Sequence, residues 1–328
     1  MPGMYIAGWG CALPNRSVTN ADLETRMDTN DAWIVERTGI RERRAAEAGT
    51  TTATLATDAA RAALESAHEA PAAVDLLIVA TCTPEQPIPH TGAFVADALG
   101  LQCPSFDLNA ACSGFVYALV VGASMIGSAS MTNVLIVGSE TLSRITDPFD
   151  RSTAILFGDG AGAALLRSSA GSSALLGFDL GCDGSATEIL GQRGGGSRFP
   201  ATTETLAAGH HFIHMQGQEV FKRAVRAVVD SAGASLIRSA LTIDDIDWFV
   251  PHQANIRIIE SAAQRLGIRM DKTIVNIANV GNTSSASIPM ALFEAVDDGR
   301  VQPGDRVLLS GFGAGMTWAS AIIEWNPS

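Results

Sequence analysis

The stretch VDLLIV (74–79) decides the fold, because IDWFV (246–250) echoes it 172 residues later. The same shift lays ARAALES (60–66) on AGASLIR (232–238) and sets Cys112 on Ser284. NVLIVGSE (133–140) meets RVLLSGFG (306–313) at a shift of 173, and the alignment slips further at ALGL (98–101) and RLGI (265–268). Identity between the copies is low, but the order of elements is kept. A period this long indicates a duplicated domain, not a solenoid. Each copy alternates short β-branched runs with longer Ala-rich stretches, which predicts α/β architecture built from parallel βαβ units. The expected division is 1–172 and 173–328, and 328 residues suit two packed halves.

Composition narrows the function. Hydrophobic residues make up 47% and charged residues 17%, an apolar balance that suggests a broad homodimer interface. The net charge of −12 argues against nucleic acid as a partner. No long uncharged apolar run and no charged start followed by an apolar core is present, so neither secretion nor membrane spanning is expected. The five cysteines are irregularly spaced, without a Cys-x-x-Cys pair or a His cluster. That argues against zinc and a disulfide framework and for a reducing cytoplasm.

Four places could carry chemistry. Cys112, in DLNAACSGF (107–115), follows a strand-like segment (105–109) and opens a helix (113–126). Helix N–H groups there would lower the thiol pKa and favour a nucleophilic thiolate. The other four cysteines lack this context and read as structural. His252, in VPHQAN (250–255), sits at the carboxyl end of a strand, before a helix beginning near Gln253 or Ala254. Ligand sites of α/β sheets lie at such ends, although a lone His is commonly structural. Asn282, in VGNTSSAS (280–287), reads as a Gly-Asn turn or as a polar group of the site. GFGAG (311–315), after the strand RVLLS (306–310), reads as a simple loop or as an oxyanion-binding turn. Lys222 and Arg226 share a helix face, either a solvated one or a cationic patch for an acidic partner.

Together, DLNAACSGFVYAL, DRSTAILFGDGAGA (150–163), VPHQANIRII (250–259), GNTSSASIP (281–289) and GFGAGMTWASA (311–321) resemble β-ketoacyl-ACP synthase III of the thiolase superfamily. DAWIVERTGIRERR (31–44) agrees, and the resemblance covers essentially the whole chain. It implies a thiolase-like fold of two pseudo-symmetric halves in a five-layer αβαβα sandwich, usually a homodimer. It also implies decarboxylative condensation of an acyl-CoA primer with malonyl-ACP, initiating fatty acid synthesis without a metal or organic cofactor. The alternative is a synthase III-like acyltransferase of a secondary-metabolite or polyketide pathway using the same triad.

Carried over by position, Cys112 resembles the acylated nucleophile, with His252 and Asn282 completing the triad. An Asn in third place separates the chain from thiolases, elongating synthases and HMG-CoA synthase. The oxyanion donors would be the N–H groups of Cys112 and Ala314. Trp33, Arg37, Arg151 and Asn255 resemble coenzyme A contacts, and Lys222 and Arg257 the docking surface for acyl carrier protein. Ile88, Leu142, Phe157, Met215 and Phe312 resemble residues of the acyl pocket, with Ile88 reaching across a dimer and Phe312 beside the sulfur.

Overall fold

The structure, a computed structural model, describes residues 3–171 and 173–327. The chain begins β1 (Gly3–Ala12), α1 (Thr52–Ser66), β2 (Leu76–Ala80), α2 (Thr91–Leu99) and β3 (Ser105–Leu108). It continues with α3 (Gly114–Gly127), β4 (Asn133–Thr141) and β5 (Asp159–Ser169). The second pass runs β6 (Leu175–Cys182), α4 (Gly217–Ser239), β7 (Trp248–Pro251) and α5 (Ile256–Leu266). It ends with α6 (Ser287–Asp297), β8 (Arg306–Gly313) and β9 (Thr317–Glu324). The two passes match element for element, except that the counterpart of β3 shrinks to a parallel bridge between Phe249 and Thr273.

The sheets are ordered β1-β5-β4-β2-β3 and β7-β8-β9-β6. The expected parallel pairing is found among β3, β2 and β4 and between β7 and β8. It fails elsewhere: β5 runs antiparallel to both β4 and β1, and β9 to both β8 and β6. The link from β8 to β9 is only the turn Ala314–Met316, and a parallel return needs about a dozen residues.

Helices α3 and α6 lie between the sheets, where Phe115, Leu119, Leu292 and Phe293 share one core with Ile136 and Leu309. The outer faces are covered by α1 and α2 on the first sheet and by α4 and α5 on the second. This is the five-layer αβαβα sandwich. All five residues of β2 are buried, the continuous apolar run of a strand covered on both faces. The alanines of α1 press that helix directly onto β1: a Cβ at Gly8 would stand 2.4 Å from the Ala63 carbonyl oxygen. Thr51 and Thr54 cap its start reciprocally. Among the described residues, no helix is long and apolar enough to cross a membrane.

The layers bring two short turns together. Ala111–Ser113 opens α3, which therefore starts at Gly114, and Ser284–Ala286 opens α6. Ala111 and Ser284 both adopt positive φ, 46° and 47°. Each donates its N–H to the carboxamide oxygen of an Asn two residues earlier, Asn109 at 3.2 Å and Asn282 at 2.9 Å. The backbone thus pairs Cys112 with Ser285, not with Ser284. The turns follow the shift of 173 seen in β4 and β8, not the shift of 172 that relates β2 to β7.

Candidate active site

Cys112 occupies the first turn, with its thiol facing a cavity of about 260 Å³. Leu142, Phe157, Ile213 and Ala314 help to line it. Two glycines of β8 hold the turn from behind: a Cβ at Gly311 would stand 3.2 Å from the Cys112 carbonyl oxygen, and one at Gly313 2.6 Å from its nitrogen. Strand β8 therefore extends through Gly313, and only Ala314–Met316 forms the turn expected of GFGAG.

The thiol differs from the expectation of a lowered pKa. Burial pushes Cys112 up to about 12; the Ser284 hydroxyl works against that shift and Glu140 adds to it. Desolvation outweighs the N–H groups at the opening of α3. The resting sulfur is a neutral thiol.

His252 follows β7, its N–H donating to the Ser310 carbonyl at 2.8 Å. Helix α5 begins two or three residues later than expected, at Ile256. The imidazole is 2% exposed, and burial lowers its pKa to about 3, so it is neutral. Its Nδ1 lies 2.6 Å from the Ser287 hydroxyl, whose oxygen also accepts the Gln253 N–H at 3.4 Å. The hydroxyl has one proton and a second lone pair, so the contact serves either tautomer: where the hydroxyl donates to Nδ1, Nε2 carries the ring proton. The Phe312 ring stands edge-on to the imidazole, centroids 5.5 Å apart. Phe312 thus packs on His252 and does not line the cavity of Cys112.

Asn282 is held by backbone on both sides: its N–H donates to the Leu156 carbonyl at 2.8 Å and its carbonyl accepts from Gly158 at 2.9 Å. Its Oδ1 is committed to Ser284. The end left for a ligand is the NH2, a donor that does not titrate.

Two sequence profiles match the chain: "3-Oxoacyl-[acyl-carrier-protein (ACP)] synthase III" over residues 106–184 and its "C terminal" companion over residues 236–325. The chain belongs to the β-ketoacyl-ACP synthase III family. It is 47% identical to the Beta-ketoacyl-[acyl-carrier-protein] synthase III of Natranaerobius thermophilus, covering 99% of this chain and 100% of that one. It is 49% identical to the enzyme of the same description from Paramagnetospirillum magneticum, covering 97% and 98%. Among solved structures, the 3-oxoacyl-[acyl-carrier-protein] synthase III of Aquifex aeolicus superposes with a TM-score of 0.91 at 41% identity, covering 98% and 100%.

The residues that the resemblance assigns to coenzyme A and carrier protein lie outside the lining of the Cys112 cavity. Trp33, on the helix Asp31–Thr38, has the guanidinium groups of Arg37 and Arg151 each 4.6 Å from its ring centroid. Arg151 also donates to the Asp28 carbonyl at 2.8 Å. Asn255 caps α5, accepting from the Arg257 N–H at 2.9 Å, and its Nδ2 donates to the Arg37 carbonyl at 2.9 Å. Both ends of its amide are thus engaged within the protein. Lys222 pairs with Glu219, Arg223 with Asp183 and Arg226 with Asp230, so much of the cationic face of α4 is locally neutralised. Arg257 is exposed and, among the described residues, makes no ion pair.

Met215 packs into the cluster with Leu142 and Phe157, while its neighbour Ile213 reaches the cavity. Ile88 is 86% exposed and does not line its own chain's cavity. Cys82, which the sequence reading leaves as structural, does line it. Burial and the nearby Glu140 push its thiol well above the usual range. Ser284, Ser287 and Glu140 also escape the sequence reading. Ser284 and Ser287 lie inside a quoted motif and could have been found from it; Glu140 ends an ordinary strand and gives no signal.

Proposed function

We propose that this chain transfers an acyl group from acyl-CoA to Cys112 and condenses it with malonyl-ACP, giving 3-oxoacyl-ACP, CoA and CO2. The observation carrying the reading is Cys112 on a helix-opening turn at the cavity wall, sharing that wall with Ser284, whose N–H is held by Asn282; His252 and Asn282 themselves lie outside the cavity lining. In the first half-reaction the Cys112 sulfur attacks the thioester carbonyl, the bond to CoA breaks, and the thiol proton passes to the CoA sulfur. The N–H groups of Cys112 and Ala314 stabilise the tetrahedral oxyanion, where losing one donor costs about 3 kcal/mol.

In the second, His252 through Nε2–H and Asn282 through its NH2 donate to the thioester oxygen of malonyl-ACP. Loss of CO2 then leaves a stabilised enolate, whose carbon attacks the acyl-Cys112 carbonyl and expels the sulfur. Neutral donors suit this step, because a carboxylate in the Asn282 position would repel the enolate. The chemistry asks for no metal or organic cofactor.

Trp33 and Arg151 would grip the adenine of CoA, which requires Arg151 to leave its present position on the indole, and Arg37 would meet the phosphates. Asn255 would touch the pantetheine arm only by giving up one of its present bonds. Arg257, with Lys222, is assigned to the acidic carrier protein. A homodimer would explain the exposed Ile88, which we assign to the partner's acyl cavity. The chain divides at about residue 172 into a half carrying the thiol and a half carrying His and Asn.

The test combines a primer scan with mass spectrometry. Acetyl-, branched and longer acyl-CoAs are offered with malonyl-ACP, and the protein is weighed after acyl-CoA alone. An acyl mass shift at Cys112 that vanishes in Cys112→Ala is expected, together with 3-oxoacyl-ACP from at least one primer. No condensation product from any primer would remove the assignment.

A further inference from the structure

Glu140, at the end of β4, is fully buried against the cavity wall, and its contacts are neutral donors from two distant segments. From the segment after β2 it accepts the Thr83 hydroxyl at 2.6 Å, the Thr83 N–H at 3.1 Å and the Cys82 N–H at 3.2 Å. The Thr81 hydroxyl and the Cys82 thiol approach it at 3.3 Å. From the turn opening α6 it accepts the Ser285 hydroxyl at 2.8 Å and the Ser285 N–H at 3.4 Å. Burial raises the carboxyl pKa and these donors oppose the rise. Main-chain and hydroxyl donors converging on both oxygens are the surroundings of a carboxylate, which only accepts.

Ser285 is the backbone counterpart of Cys112. Ser284, the residue before it, lines the same cavity as Cys112; its hydroxyl works to lower the thiol pKa and lies 3.7 Å from the Cys82 sulfur. Gly138, two residues before Glu140, supports the same turn: a Cβ there would stand 2.4 Å from the Ser285 carbonyl oxygen.

We propose that Glu140 is a positioning residue for the nucleophile: its carboxylate clamps the Thr81–Thr83 segment to the Ser284–Ala286 turn, holds the Ser284 hydroxyl in the cavity wall that Cys112 shares, and sets a fixed negative field there. The titratable groups around the turn are Glu140 on β4, Cys82 after β2 and His252 after β7. The imidazole is neutral and Cys82 is a protonated thiol, so the field is that of Glu140. It opposes the thiolate while Ser284 favours it. A sulfur of higher basicity is a stronger nucleophile and a poorer leaving group. Building on the condensing reaction proposed above, the field therefore favours retention of the acyl group on Cys112 until the enolate arrives.

The test reads the thiol directly, without acyl-CoA or malonyl-ACP, so its outcome is separate from that of the condensing reaction. Alkylation of Cys112 by iodoacetamide is followed at its peptide by mass spectrometry from about pH 6 to about pH 10. The range lies below the Cys112 midpoint, so the readout is the alkylation rate at each pH. Glu140→Gln is expected to raise it by about threefold per unit the thiol pKa falls, the gain in thiolate being partly offset by lower nucleophilicity. Ser284→Ala is expected to lower it. Ser285→Ala keeps the carboxylate but cuts the clamp, so it should follow Ser284→Ala; it decides the matter if Glu140→Gln does not fold. A folded Glu140→Gln with an unchanged alkylation rate would overturn the proposal, as would Ser285→Ala with the wild-type profile.

Discussion

His252 should make the protein acid-sensitive, by an amount that follows from its burial. The folded chain keeps this imidazole neutral down to about pH 3, whereas the same side chain unfolded protonates near 6.5. A base whose folded pKa is depressed contributes stability in full above the unfolded value and loses it as pH falls toward the folded one. Each unit of pH between the two costs about 1.4 kcal/mol. Going from neutrality to pH 5 therefore removes about 2 kcal/mol, and approaching pH 3 removes about 5. Buried Glu140 and Asp159 have raised values and act in the opposite direction, so the wild-type slope alone is not diagnostic. The comparison with His252→Asn is, because every other titrating group is common to both proteins. Urea unfolding at about pH 7.5 and about pH 5 should show wild type losing about 2 kcal/mol more than the variant. Parallel losses would refute the claim that the folded state excludes the imidazolium.

Three further outcomes follow from the site. Gly313→Ala places a Cβ 2.6 Å from the Cys112 nitrogen; steady-state assay should show condensation falling by about 100-fold, the scale expected for a displacement near 1 Å, and wild-type turnover would contradict the contact. Asn282→Ala should slow malonyl decarboxylation by about 100-fold yet leave the acyl mass shift on Cys112, and equal loss of both steps would end the division of labour. Arg257→Glu should raise the KM for carrier protein most at low ionic strength, because exposed charges are screened as salt rises; a salt-independent defect would point to misfolding instead.

The element order was legible because each strand and helix carries its own period, and the duplication because hydrophobic blocks survive divergence. The places of Cys112 and His252 were legible for a related reason, since one opens a helix and the other follows a strand, whereas Asn282 also read as an ordinary Gly-Asn turn. The register at the nucleophile was not legible. β2 and β7 match at 172, but a one-residue slip precedes the turn, and only the shared positive φ of Ala111 and Ser284 reveals it. The protonation state of Cys112 was also hidden: a helix terminus shows in sequence, whereas the desolvation that outweighs it appears only once both halves close over the sulfur. Glu140 is the clearest case. GSE near the end of β4 entered the sequence reading only as part of the repeat, and the turn that buries Glu140 arrives from 145 residues further along the chain.

The duplication also explains why one of the two equivalent turns carries the nucleophile. The glycine in each central strand supports the turn of the other pass, Gly138 behind Ser285 and Gly311 behind Cys112. Two residues further along, the passes part company, since Glu140 occupies in β4 the place that Gly313 occupies in β8. On the Ser285 side that place is filled by a carboxylate, which takes the Ser285 hydroxyl and N–H for itself. On the Cys112 side it is bare, and the backbone passes close to the Cys112 nitrogen. His252 likewise stands where the first pass has Ala80, whose carbonyl merely accepts from Ser285. The turn of the second pass is thus tied to a carboxylate, while on the proposed reading its strand end and Asn turn supply polar groups to the thiol of the first. A carboxylate at position 313 would remove the asymmetry by crowding and charging the Cys112 turn, so Gly313 should tolerate substitution less than its place at a strand end suggests.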